Sequence, residues 1–252
     1  MTATIENEDV GLYADFDNRF STNDRRFGIE RKAITALPVI DISPLFDLEN
    51  PTARARVGQE IREACINIGF FYITGHGVPQ SEFEELIAWA HRLFALPLEN
   101  KLALHKNNHP RKFGYMPVGG MDPEENQDKA ADLKENFNMC RESLPGEMQD
   151  QDLPAGESQW PAPELLPGFE RFMKAHIAKR VEIAQALARG FALSLGLEEG
   201  YFDASHQHHR GTLLLNYYPS VSEEQMARTQ WSNSPHSDYG SFTLLSQDDV
   251  EG

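Results

Sequence analysis

Residues 212–219 read TLLLNYYP and residues 241–249 read SFTLLSQDD. Both runs carry β-branched or aromatic residues with turn-forming residues around them, so both are predicted to be strands. What precedes them has mainly helical periodicity. Pro51 and Thr52 open a helix with an apolar face of Val57, Ile61, Ala64, Cys65 and Ile68, and Gly69 is its stop. A second helix carries Phe83, Leu86, Ile87, Ala90, Leu93 and Phe94 on one side and ends at Pro97. A third runs from about Leu166 to Leu195, with Phe169, Phe172, Met173, Ile177, Ile183, Ala184, Leu187, Phe191 and Leu195 as its stripe and Gly196 as its cap. That stripe is core packing. Helices first and strands last imply an α+β fold in which helices brace a mostly antiparallel sheet.

Three shorter stretches fit around this frame. ALPVIDISPLF is a short strand (Val39, Ile40, Ile42) broken by Pro44, and FFYITG is a β-rich run. Between Asn107 and about Pro163 the chain is rich in Pro, Gly and acidic residues, and KENFNM is its best strand. The first ~35 residues are polar and aperiodic and read as an extended arm or a partly disordered tail.

The bulk numbers narrow the function. The chain has 252 residues, 39 Asp and Glu against 23 Lys and Arg, and a formal net charge of -16. That balance opposes sequence-independent nucleic-acid binding and docking on an anionic membrane. Two distant cysteines, Cys65 and Cys140, make neither a disulfide framework nor a CxxC metal site, which suits a reducing cytosol. Cys65 reads as a buried structural thiol. The N-terminus lacks the pattern of a signal peptide, and no stretch approaches the roughly 20 apolar residues of a membrane span. A cytoplasmic protein is expected.

His236-Ser237-Asp238 places an imidazole and a carboxylate two residues apart. On an extended segment they converge on one point, a pairing suited to Fe(II), Mn(II) or Zn(II). By itself this triplet is a weak signal, but its surroundings are more specific. It lies in HSDYGSFTLLSQDD, about twenty residues after LLLNYYP, and the front half carries LPVIDISPLF and EACINIGFFYITGHGVP. Together, over residues 37–252, these strings resemble the isopenicillin-N-synthase-like branch of the Fe(II)- and 2-oxoglutarate-dependent oxygenases.

The resemblance implies an N-terminal helical region bracing a double-stranded β-helix, or jelly roll. Residues 1–36 would be a polar arm, 37–200 the helical and mixed region, and 201–252 the first strands of the jelly-roll core. It implies His236 and Asp238 as metal ligands, Asn216 and Tyr218 beside the co-substrate, and Phe137 of KENFNM on the substrate side. His76 in GHGVP would be part of a structural turn, and His206, His208 and His209 part of a solvated loop. The implied activity uses Fe(II), 2-oxoglutarate and O2 to hydroxylate a small molecule, with desaturation or ring closure as variants. The family also needs a later histidine and an Arg-x-Ser pair, and neither follows His236 within the 252 residues. The chain is therefore expected to be the N-terminal part of a longer oxygenase. Two other readings stay open: a non-catalytic remnant or binding module, and an iron and O2 oxidase of the same family that does not use 2-oxoglutarate.

Overall fold

The structure is a computed structural model that describes residues 36–118, 133–142, 158–206, 211–220, 222, 238 and 240–250. Apart from Ala36, the expected N-terminal arm lies outside these residues. Two compact units are present, one made of residues up to 77 with 185–204, the other of 78–184 with the residues from 205 onward.

In the first unit, β1 (Val39–Asp41) pairs in parallel with β2 (Tyr72–Thr74), Ile40 opposite Ile73. Pro44 ends β1 by opening a single 3-10 turn, Ser43–Phe46. Helix α1 (Pro51–Asn67) starts where expected: Asn50 caps it by accepting the Ala53 N–H at 3.0 Å, and Pro51 occupies the first turn, where no N–H is needed. Its buried face is Arg54, Val57, Gly58, Ile61 and Ala64. Buried Arg54 is fully engaged, donating to both carboxylate oxygens of Glu199 and to the Asp47 carbonyl. A Cβ at Gly58 would lie 2.7 Å from the Leu193 Cβ, so this position admits only a glycine.

In the second unit, α2 (Gln80–Phe94) and α3 (Leu98–Ala103) precede a three-stranded antiparallel sheet of β3 (Gly114–Met116), β4 (Glu135–Cys140) and β5 (Thr212–Tyr217), with β4 in the centre. Its core joins Leu86, Leu93 and Phe94 of α2, Tyr115, Phe137, Met139 and Leu215 of the sheet, and Phe169, Met173 and Ile177 of α4 (Phe169–Ser194). The Phe94 and Tyr217 rings stack at 5.3 Å between centroids, and Phe137 meets Phe169 edge to face. Helix α4 ends as predicted. Gly196 takes φ +71°, and the Leu197 N–H reaches back to the Ala192 carbonyl at 3.0 Å.

Four expectations are corrected. The order of helices first and strands last does not hold: the strands expected near ALPVIDISPLF, FFYITG and KENFNM, together with β3, put four of the five described strands ahead of α4. Cys65 is exposed, not buried. It lies in the last turn of α1, where its neighbours Ile66 and Asn67 are exposed too. Leu195 is also exposed, one residue beyond the end of α4. Finally, residues 241–249 form no strand although described, because no described strand pairs with them. A strand needs a ladder to satisfy its backbone, and apolar composition alone does not supply one.

Candidate metal and co-substrate site

β5 has two chemically different faces. Leu213, Leu215 and Tyr217 point into the core of the second unit. Alternate residues point the other way, so Leu214, Asn216 and Tyr218 share the opposite face, and all three are exposed. The register extends that face across the sheet: Asn216 lies opposite Asn136, which lies opposite Met116. Leu214 lies opposite Asn138, which lies opposite Gly114. One side of the sheet is thus greasy and filled, while the other carries three asparagines and leads to Tyr218.

The core side is locked by a charged group rather than by apolar contacts alone. Lys101 of α3 donates to Glu135 at 2.7 Å and to the Phe94 carbonyl at 2.9 Å, and the Tyr115 hydroxyl donates to the same Glu135 oxygen at 2.5 Å. Burial, reinforced by the Glu135 carboxylate, pushes the Tyr115 phenol well above its ordinary pKa and keeps it a donor. These contacts tie β3 and β4 to α3 and hold the sheet that presents Asn216.

Phe137 does not share the face of Asn216. It is fully buried, opposite Leu215 in the ladder and packed on Phe169. A substrate-lining role does not fit that placement. Asn136 and Asn138 are the residues of the same strand that do face Asn216. Sequence reasoning passed over them, although counting in steps of two from either neighbour of Phe137 within KENFNM reaches both.

Asp238 is exposed, and its Oδ2 accepts a hydrogen bond from the Thr243 hydroxyl at 2.6 Å. His236 lies outside the described residues, as do His208 and His209. His206 is described, and it is not wholly solvated as expected. It is half-buried at the end of a short helix, α5 (Asp203–His206), and its Nε2 lies 3.5 Å from the hydroxyl of Ser241. Among the described residues no three His, Cys, Asp or Glu side chains gather as a metal site. The residue types of the His236 and Asp238 pair, an imidazole and a carboxylate, suit a borderline-to-hard divalent cation. His76 behaves as a turn residue: Gly75 and Gly77 on either side take φ +70° and +72°.

Residues 37–163 match the family model for the N-terminal region of non-haem dioxygenases, described as non-haem dioxygenase in morphine synthesis N-terminal. The chain is 33% identical over 230 residues to the 2-oxoglutarate-Fe(II) type oxidoreductase hxnY of Emericella nidulans, covering 87% of this chain and 63% of that protein. It is 32% identical over 229 residues to a 2-oxoglutarate-dependent dioxygenase of Didymella fabae, covering 87% of this chain and 68% of that one. The chain belongs to the non-haem, 2-oxoglutarate-dependent dioxygenase family. It spans less than two thirds of the length of hxnY. The same architecture is found among solved structures. A full-length Neurospora crassa protein, crystallised in complex with alpha-KG, superposes with a TM-score of 0.65 at 24% identity, covering 84% of this chain and 65% of that one.

Proposed function

We propose that the protein is an Fe(II)- and 2-oxoglutarate-dependent dioxygenase that oxidises a small organic molecule, using O2. The observation that carries this reading is the placement of Asn216 and Tyr218 together on the exposed face of β5, backed by a filled core. In this reading His236 and Asp238 hold the metal, and the Asn216 amide and Tyr218 hydroxyl donate hydrogen bonds to the carboxylates of the co-substrate. Iron, when bound, supplies a centre that takes the 2-oxo acid and O2 side by side. The rest is done by the protein. A strand fixed on its core side by Leu213, Leu215 and Tyr217 fixes the backbone from which the two donors project, which reduces what must be ordered in the binding step.

The names of the relatives support 2-oxoglutarate use over oxidation with iron and O2 alone. The remaining assignments belong to the same proposal: residues 37–200 as the helical and mixed region, 201–252 as the opening part of a jelly-roll core, and 1–36 as an arm. A cytoplasmic location fits Cys65 and Cys140 as free thiols, and no described helix is long and apolar enough to cross a membrane.

The test is turnover of 2-oxoglutarate by protein expressed from its own gene and supplied with Fe(II) and ascorbate. Succinate is expected, and Asp238→Ala abolishes it. Asn216→Ala and Tyr218→Phe each raise the KM for 2-oxoglutarate about tenfold, as befits the loss of one charge-assisted hydrogen bond. Absence of succinate with a broad substrate panel would overturn the assignment.

A further inference from the structure

Asn138 stands on the same sheet face as Asn136 and Asn216, and its Oδ1 is buried without a hydrogen-bond partner. Two other buried side-chain atoms of the described residues share that condition, Trp160 Nε1 and Arg180 Nη2. Trp160 packs against Phe169, and Arg180 retains its hydrogen bond to Glu82 through Nη1. Of the three, Asn138 is the one that stands on the sheet face opposite Phe137 and Met139. Its ladder neighbour on β5, Leu214, is exposed, while Asn136 and Cys140, its neighbours on the same face of β4, are buried. A buried acceptor left unpaired weakens the fold, so its presence at a site points to a group that arrives from outside.

We propose that Asn138 is a substrate-recognition residue whose side-chain amide pairs with an N–H beside a C=O, the edge shown by a lactam or an imide. This inference rests on the oxygenase reading above and narrows its substrate class. An asparagine amide offers an acceptor and a donor side by side, and the matching partner offers a donor and an acceptor in the same spacing. The match holds whichever way the amide is turned, since either orientation presents one of each. Asn136, the next residue along this face of β4, is buried and lies opposite the exposed Asn216 in the ladder.

The experiment compares wild type, Asn138→Leu and Asn138→Asp in the presence of Mn(II) and 2-oxoglutarate. The probes are glutarimide and uracil, each against its N-methylated counterpart, with binding measured by ligand-observed NMR titration and melting temperature recorded for every variant. Wild type is expected to bind the N–H forms about tenfold or more tighter than the N-methyl forms, the worth of a single well-made hydrogen bond. Asn138→Leu loses that discrimination while melting at the wild-type temperature or above, because an unpaired buried amide has been replaced by an apolar group of similar size. Asn138→Asp keeps an acceptor and part of the preference. Equal binding of N–H and N-methyl probes by wild type would overturn the proposal. So would undiminished discrimination by Asn138→Leu, or a melting temperature lowered by several degrees in it. Succinate formation by wild type, measured alongside, reports on the oxygenase reading separately from these comparisons.

Discussion

Gly75 shows how a single residue fixes the turn around His76. At φ +70° an added Cβ would lie 2.1 Å from Asp41 Oδ1 and 2.9 Å from the Ser43 backbone nitrogen. The carboxylate it would strike accepts the Ser43 N–H at 2.9 Å, and that hydrogen bond holds the Asp41 pKa below its ordinary value. Gly75→Ala is therefore expected to destabilise the fold by more than the ~1–2 kcal/mol of a left-handed alanine alone, measured by urea denaturation. His176 is a second residue with a definite expectation. It is buried against Phe172, with Glu82 at 3.0 Å and Arg180 sharing that carboxylate. Burial first, and then Arg180, lower its pKa to about 4 against the pull of Glu82. The folded state therefore resists a proton that the unfolded chain takes up near the ordinary value of 6.5, and stability falls as the pH drops from there towards about 4. Below that window both states are protonated and the effect is complete. His176→Leu should flatten this part of the pH–stability profile, read as melting temperature against pH beside wild type. Such residues are hard to read in the sequence. His176 lies on α4 within its apolar stripe, but nothing local announces that Glu82, 94 residues earlier, will meet it.

At the scale of elements, local chemistry makes much of the fold legible. Pro51 and Thr52 announce α1, Gly196 ends α4, and the β-rich run 212–219 contains β5. The failures share a cause, which is that burial and pairing are decided by distant partners. Residues 241–249 have strand composition but no described ladder partner, and Cys65 continues the apolar stripe of α1 past the point where the helix is covered. The link between α3, β3 and β4 is likewise non-local. Lys101 and Glu135, both buried, sit at its centre. Lys101→Met would leave the Glu135 carboxylate buried without its cation and should cost about 3–5 kcal/mol, visible in chemical denaturation. Replacing both with Met and Leu should recover a large part of that loss, since the surviving penalty comes from the unpaired charge rather than from the missing attraction.

For the whole molecule, family membership is readable because several strings occur in one order along the chain, and no single one of them would suffice. The site is readable only in part. Asn216 and Tyr218, which the resemblance implies, share the exposed face that alternation along β5 gives them, whereas Phe137, expected on the substrate side, packs in the core. One residue of offset in a strand exchanges pocket for core, and composition cannot show which neighbour faces inward. The proposed function turns on the His236–Asp238 segment holding a divalent metal beside the open face of β5. Titration of Mn(II), a redox-stable stand-in for Fe(II), into the protein in the presence of 2-oxoglutarate tests this directly, followed by the loss of the free-ion EPR signal. His236→Ala and Asp238→Ala are each expected to weaken binding about tenfold or more. Unchanged affinity in both variants would be incompatible with a metal at this segment.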